Sequence, residues 1–543
     1  MSLLCRDQFV RICRFTLMSL ALVLVSFWCV PKSAAQQIRI VPSISVLEQY
    51  DSNVFFTPKS QLAAGTKADD LITTLTPQLN FMQSNNVAKT NLSLGATVQK
   101  FANNSDLDNV GFLASGGVDL SQSVNRVLPR MKAFRIFGTY RYSPSAPAFG
   151  AGGLGAGGGG GFGMGGGFGM GGGFGMGGVG IAGPVDSGLL TQRIRTTMYS
   201  AGLADSYSLS PTTDFQTTYT YSQLSFGGSF TPTSATANQA AQTVFDTTTH
   251  SITAGPSSRI TATDTLTVKY MFTQASQAQF GEFTTHGGTV GWGRVWTKEL
   301  SSSVNGGLTL IEPIPDSSAV GGQRRIPATM FPTGGFSLTY ASGSSFLRKL
   351  GSDIQEMTGS SGSSSMGGGF LPLVAGMNMP GGIASPGSYR ITFLYNLGVF
   401  PSFVQSAGPI YTHTVSVASM AGITDKLTAQ ALFNVGRSTF TSDAIGTTFT
   451  TYGTTVSLDY LIAPTFTARL SHQWLMFENQ TGGLSAGDFG FAKHVILLGL
   501  TYAYSPRGDF FRSGAFWEGA AGSSSPADAG SGKSGSGGVD TKK

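Results

Sequence analysis

The chain has 543 residues, of which 41% are hydrophobic, only 11% are charged and 75 are glycine, with a formal net charge of +6. A water-soluble domain carries about 25% charged residues, so this composition argues against an ordinary soluble globule. So mild a charge on so long a chain gives no footing for nucleic acid.

In chain order, residues 1–35 read as an export signal. Arg6, Arg11 and Arg14 make a basic start, Phe15 to Val30 is apolar, and Ser33-Ala34-Ala35 supplies small residues at a cleavage site before Gln36. A single membrane-spanning anchor is the alternative; the small-residue site and the lack of any later apolar run of helical length weigh against it. Cys29 does not read as a lipidation site, because Phe27 and Trp28 before it are bulky. Cys5, Cys13 and Cys29 all lie inside this segment. The remainder therefore offers no disulfide, thiolate or cysteine metal site. Losing Arg6, Arg11, Arg14, Lys32 and Asp7 with the signal leaves a net charge of +3.

Beyond the signal, the chain alternates with a period of two. In Thr465 to Phe477, Phe466, Ala468, Leu470, His472, Trp474 and Met476 share one face, and Thr467, Arg469, Ser471 and Gln473 the other. That is a β-strand with one oily and one wet face. The pattern predicts strands near 39–50, 70–84, 87–101, 109–124, 131–143, 193–209, 214–227, 243–261 and 265–276. It continues near 283–297, 301–312, 328–342, 388–401, 411–423, 427–439, 449–462, 465–479 and 493–504. The expected fold is all-β: a transmembrane antiparallel up-and-down β-barrel of about 18 strands (roughly 16–20) over 36–505. If the N-terminus starts in the periplasm, the inner turns are short and rich in Ser, Thr, Asp or Pro, and most outer loops are longer. Segment 343–387 is long yet falls on the inner side, so it has room for two more strands, one near Ser344–Ser352.

Two segments are of low complexity. Residues 150–180 repeat Gly-Gly-Gly-Phe-Gly-Met through Phe162, Phe168, Phe174, Met164, Met170 and Met176; 358–388 is rich in Gly, Ser and Met. So much glycine favours a flexible outside loop over one fixed fold; a loop folded into the lumen or against a partner is the alternative. Residues 506–543 read as a disordered periplasmic tail.

Chemistry is sparse. His250, His286, His413, His472 and His494 occur singly, none at metal-ligand spacing, and no nucleophile–base or paired-carboxylate arrangement emerges. No catalytic residue, metal or cofactor is expected, and Gly-x-Gly-x-x-Gly matches in 150–180 follow no βαβ pattern. Strand parity puts Arg135, Arg141, Lys269, Arg390 and Arg469 on the wet face, with few acidic residues beside them. A basic lumen focuses anions; ordinary solvated lining is the plainer reading. A one-residue register error would reverse any of these placements.

The last strand, Leu498-Gly499-Leu500-Thr501-Tyr502-Ala503-Tyr504, resembles the C-terminal signal read by the barrel-assembly machinery, carried by Gly499, Tyr502 and Tyr504. In such signals the final aromatic usually ends the chain, whereas here residues 505–543 come after it. Near the start, Glu48-Gln49-Tyr50-Asp51-Ser52-Asn53-Val54-Phe55, Thr57-Pro58 and Asp69-Asp70-Leu71-Ile72-Thr73-Thr74-Leu75-Thr76-Pro77 resemble outer-membrane β-barrel porins that accompany exopolysaccharide and PEP-CTERM (exosortase) systems of Gram-negative bacteria. The resemblance implies an outer-membrane site and a role in exopolysaccharide export or envelope biogenesis. Membrane lipid and, from the last-strand signal, the barrel-assembly machinery are the expected partners, and a pore with a basic lumen would pass an anionic saccharide or small solutes. A non-conducting structural or surface protein is the competing function. Physically, Tyr50 and Phe55 are candidates to anchor the rim in lipid, and Asp51 and Asn53, beside Glu48, to cap the first outer turn. A rim cation site is the sharper alternative.

Overall fold

The computed structural model describes residues 37–55, 67–85, 87–147, 193–227, 246–277, 281–312, 328–342, 386–400, 410–440, 448–480 and 490–504. The signal at 1–35, the 150–180 repeat, nearly all of 343–387 with the strand sought near 344–352, and the 506–543 tail lie outside them. The strands are β1 (Gln37–Asp51), β2 (Asp70–Ser84), β3 (Lys89–Phe101), β4 (Asn109–Asp119), β5 (Met131–Pro147) and β6 (Arg193–Ser210). Next come β7 (Thr213–Gly227), β8 (Thr247–Arg259), β9 (Asp264–Gln277), β10 (Gly281–Val295), β11 (Leu300–Ile311) and β12 (Thr329–Ser342). The last are β13 (Tyr389–Phe400), β14 (Ile410–Gly422), β15 (Leu427–Phe440), β16 (Thr448–Ala463), β17 (Phe466–Gln480) and β18 (Gly490–Ala503).

These form one 18-stranded antiparallel sheet in which each strand pairs with its sequence neighbours and β1 pairs with both β2 and β18. The sheet therefore closes and has no free edge, the condition for strands to cross a bilayer with every backbone group paired. The wall also sorts its side chains by parity. On β1, Ile38, Ile40, Ile44, Val46 and Tyr50 are exposed outside, while Val41, Ser43, Ser45, Gln49 and Asp51 are buried inside. β17 repeats the pattern: Leu470 points out and is 49% exposed, and Thr467 and Ser471 point in and are buried. Leu75, Leu94, Val268, Val290, Val304, Leu308, Leu338, Ile391, Phe433, Val456 and Leu498 extend the exposed apolar surface around the barrel. Side chains of this kind in a continuous belt are far beyond the patch a soluble monomer shows to water, and they match a lipid-facing band.

The two rims differ in their connections. At the end where β1 begins, most hairpins are tight: 85–88, 211–212, 260–263, 296–299, 423–426 and 464–465. Three share one design. Thr261, Thr297 and Thr424 each accept two backbone N–H bonds through Oγ1, from Thr263 and Asp264, Glu299 and Leu300, and Lys426 and Leu427. Asn85 does the same for Val87 and Ala88 with Oδ1, both at 2.8 Å. A short side-chain acceptor that closes a turn on its own backbone explains the Thr- and Asn-led turns. The opposite rim carries the longer connections, apart from 278–280 between β9 and β10.

One strand expectation needs correction. The strand foreseen over 109–124 stops at Asp119, and Ser121–Val127 forms a short helix, α1. The Asp119 carboxylate takes the Ser121 N–H at 2.9 Å and the Ser121 hydroxyl, and that hydroxyl oxygen accepts the Phe134 N–H at 3.0 Å. An Asp that caps a turn outcompetes continued ladder pairing. In β11, a Cβ placed on Gly307 would run into the Gly288 carbonyl oxygen. Only glycine permits so close an approach of two strands.

Candidate functional site

The site to be judged is the inner wall. Its lining is dominated by Thr, Ser, Asn and Gln, among them Thr74, Thr76, Gln78, Asn80, Thr273 and Asn434. Several inward polar atoms have no protein hydrogen-bond partner among the described residues: both amide atoms of Asn434, and the hydroxyls of Thr253, Thr285, Thr309 and Thr333. Each would cost free energy in a dry packed interior, so the lining is suited to water or a polar solute. Yet the wall is not wide open. The inward side chains are largely screened from bulk solvent, Lys269 at 5% exposure and Gln49 at 1%. An apolar strip also faces inward beside the seam, made by Val41 and Leu47 on β1, Phe477 on β17, and Phe491, Val495 and Leu497 on β18. Phe477 and Phe491 stack there with ring centroids 5.7 Å apart.

Strand parity places all five foreseen basic residues on the inner wall, but register brings acids to them that parity alone does not show. Arg469 makes a two-pronged bond to Asp459, Nε to Oδ1 at 2.6 Å and Nη2 to Oδ2 at 2.9 Å, and Gln430 Nε2 adds a third bond at 3.1 Å. Asp459 and Arg469 sit directly opposite on β16 and β17. Arg135 donates to Asp119 Oδ2 at 3.3 Å, so one carboxylate both takes the Ser121 N–H at the start of α1 and pairs with an arginine. The expectation of few acidic residues on the inner face is therefore corrected. Asp459 was legible, because Leu458 and Tyr460 on either side of it are plainly outward. Arg141, on β5, lies inward between outward Tyr140 and Tyr142, and Lys269 and Arg390 line β9 and β13. The five are spread around the wall and do not converge on one point.

The stretch from Glu48 to Phe55 builds the mouth at the long-loop rim. Asp51 is buried and forms an ion pair with Lys493 of β18, Oδ2 to Nζ at 2.7 Å, with side-chain exposures of 3% and 6%. Its other oxygen accepts the Asn53 N–H at 3.0 Å, which is the turn cap expected of it. Across the ladder Asp51 faces Asp70. Two carboxylates side by side repel, and each has its own compensation: Asp51 has Lys493, and Asp70 accepts the Asn103 and Asn104 backbone N–H groups and the Asn104 amide. Asp51 therefore ties the first strand to the last, and Asp70 holds the 102–108 connection over the mouth. Tyr50 points outward and is 42% exposed. Phe55 does not: it packs with Val54, Ile72, Phe101 and Leu107, because the chain turns inward after Asp51. Glu48 faces outward and accepts a hydrogen bond from the Thr73 hydroxyl at 3.0 Å. No group of three or more potential metal ligands occurs among the described residues.

Tyr502 of β18 and Tyr504 just after it are exposed, while Gly499 is inward, where Leu47 Cδ2 closes to 2.5 Å of the position its Cβ would take.

No family model matches the chain, and no curated protein matches it. Among solved structures it is similar to the Pseudomonas aeruginosa protein OccK9 (OpdG), at 10% identity and a TM-score of 0.38, over 86% of this chain and 99% of that one. It is also similar to the outer membrane protein opdK of Pseudomonas aeruginosa, at 10% identity and TM-score 0.35, over 86% and 99%. Acinetobacter baumannii OccAB3 stands at 8% identity and TM-score 0.36, over the same shares. The closed barrel itself rests on this chain's own strand pairing, in which β1 meets β18 over nine residue pairs from Ser43 to Asp51.

Proposed function

We propose that this is an outer-membrane barrel of a Gram-negative bacterium that acts as a narrow porin-like channel for polar or anionic solutes, serving exopolysaccharide export or envelope biogenesis. The observation that carries this reading is the inner wall: a ring of hydroxyl and amide side chains, several with polar atoms that only water or solute would satisfy. An apolar outer belt with a polar interior is the division of labour of a conducting barrel. Export through a signal cleaved near Ala35, insertion by the barrel-assembly machinery through Gly499, Tyr502 and Tyr504, and a periplasmic N-terminus belong to the same proposal. Arg141, Lys269 and Arg390 line the inner wall together with Arg135 and Arg469, of which the last two pair with Asp119 and Asp459.

Single-channel recording in planar bilayers tests it. Discrete conductance steps with a modest anion preference are expected. Arg141→Glu combined with Arg390→Glu should move the reversal potential toward cations. No steps from correctly folded protein would sink the channel reading.

One observation favours a second reading, a non-conducting envelope protein. The inward strip of Val41, Leu47, Phe477, Phe491, Val495 and Leu497 is buried although it faces the lumen. A barrel whose interior is filled on that side would carry no current.

A further inference from the structure

All five histidines of the chain face outward. Four of them, His250, His286, His413 and His494, lie within five residues of the long-loop end of β8, β10, β14 and β18. Three are built alike. Tyr219, Tyr270 and Tyr395 on the preceding strands each place a hydroxyl on the Nδ1 of His250, His286 and His413, at 3.0, 2.7 and 3.0 Å. His494 instead stacks on His472 of β17, Nδ1 to Nε2 at 3.3 Å, ring centroids 5.6 Å apart. Among the described residues, the tight-turn rim has no histidine.

With the phenol donating to Nδ1, a neutral imidazole carries its proton on Nε2. Protonation adds a second N–H, the phenol turns round to accept, and the ring becomes a cation without losing its anchor. Imidazoles make this change between about pH 5 and 8. The groups facing them are few. His250 has Tyr219 and Tyr221 on one side and Gln274 on the other. His286 has Tyr270 and Phe272, and its Nε2 lies 3.2 Å from Glu312. His413 has Tyr395 and Tyr411, with Arg437 opposite on β15. His494 has Ser52, whose Oγ accepts its backbone N–H, and Trp474 opposite. Two are acidic: Glu312, and Glu282, which shares the outward face of β10 with His286 and accepts a hydrogen bond from Gln274.

We infer that this rim is a titratable belt that binds the phosphate groups of membrane-lipid headgroups, and that it binds them more strongly as pH falls. The occupant follows from position and charge. The belt lies at one edge of the exposed apolar band, at headgroup depth, where every lipid presents a phosphate that an added positive charge attracts. The inference rests on the barrel sitting in a bilayer and is independent of conductance, so a non-conducting barrel would still show it.

The test uses the full chain in bilayers of phosphatidylcholine containing spin-labelled phosphatidylglycerol or phosphatidylcholine, read by electron paramagnetic resonance. The preference for the anionic label should rise several-fold from about pH 8 to about pH 5. In His250→Gln/His286→Gln/His413→Gln with His472→Gln/His494→Gln it should stay nearly flat, and in the first three alone it should rise much less, because glutamine keeps an acceptor for each tyrosine but cannot take a charge. Added inorganic phosphate should leave the preference intact; displacement by it would assign the belt to free anions and overturn the lipid assignment. A wild-type preference independent of pH, or a rise that survives in the variant lacking all the histidines, would also overturn it. If the variant fails to fold, histidine NMR on the wild type decides: imidazole titration should move to higher pH in phosphatidylglycerol than in phosphatidylcholine, and identical curves would refute the inference.

Discussion

At the tight-turn rim the outward polar side chains are locked into fixed pairs, whereas at the long-loop rim three histidines held by tyrosines stand among carboxylates such as Glu48, Glu282 and Glu312. Near the tight turns Arg294 lies 4.4 Å over the Trp296 ring and 3.7 Å from Asp264, which also accepts the Trp292 indole N–H at 3.2 Å. Tyr340 donates to Glu299 at 2.8 Å and accepts from Tyr389 at 3.1 Å, and Lys132 pairs with Asp214 at 2.5 Å. The charged members of the first set are Arg, Lys, Asp and Glu, whereas the second is built on imidazole, the side chain whose ordinary range spans neutral pH. The difference teaches that one rim is built for a constant interface and the other for a variable one. It also tracks the connections. Tight hairpins fix their own ends, while a rim of long connections needs other ties, such as Asp51–Lys493 across the seam.

That contrast can be attacked where it is strongest. Asp51→Ala leaves Lys493 buried without its carboxylate at the long-loop rim, and loss of one partner of a buried pair costs about 3–5 kcal/mol. Urea unfolding in bilayers, followed by heat-modifiable gel migration, should show that loss; a change under about 1 kcal/mol would mean the pair does not hold the seam. Asp459→Ala, toward the tight-turn rim, should cost less, about 1.5–3 kcal/mol, because Arg469 keeps partial access to solvent. An equal or larger loss than Asp51→Ala would reverse the proposed division between the rims. Trp296→Ala should cost about 0.5–1 kcal/mol through the lost stacking with Arg294, read by the same unfolding assay. The smallest effect is at the exposed 102–108 connection. The Lys100 ammonium and the Phe101 N–H hold the Asp108 carboxyl below the usual carboxylate range. A depressed carboxyl stabilises above its unfolded value and loses that contribution as pH falls through the folded one. Proteolysis at 102–108 should therefore stay slow to below about pH 4, and Lys100→Ala should move its onset upward.

Much of this was readable from residue order. Period-two alternation placed the strands within a few residues, because a wall with lipid on one side and polar lining on the other tolerates no slip. Thr261, Thr297 and Thr424 marked hairpins for the reason that closes them. The helix after Asp119 escaped because Leu120 and Val124, four residues apart, fit one face of a strand as well as one face of a helix. Asp459 and Asp119 were missed as partners for a different reason: pairing across strands depends on register between β16 and β17 and between β4 and β5, which parity within one strand does not contain. The five histidines looked unrelated for the same reason, since the tyrosine partners of three, and the His472–His494 pairing of the other two, lie across neighbouring strands.

The partition of the wall admits a direct measurement. The three cysteines, Cys5, Cys13 and Cys29, all precede β1, so with them removed or replaced a single spin label can be set on β17. Leu470→Cys and Ser471→Cys, one residue apart, should report opposite environments in a bilayer. High accessibility to dissolved oxygen is predicted at 470 and low accessibility at 471. Equal accessibility at the two sites, or the reverse order, would contradict a lipid-facing barrel.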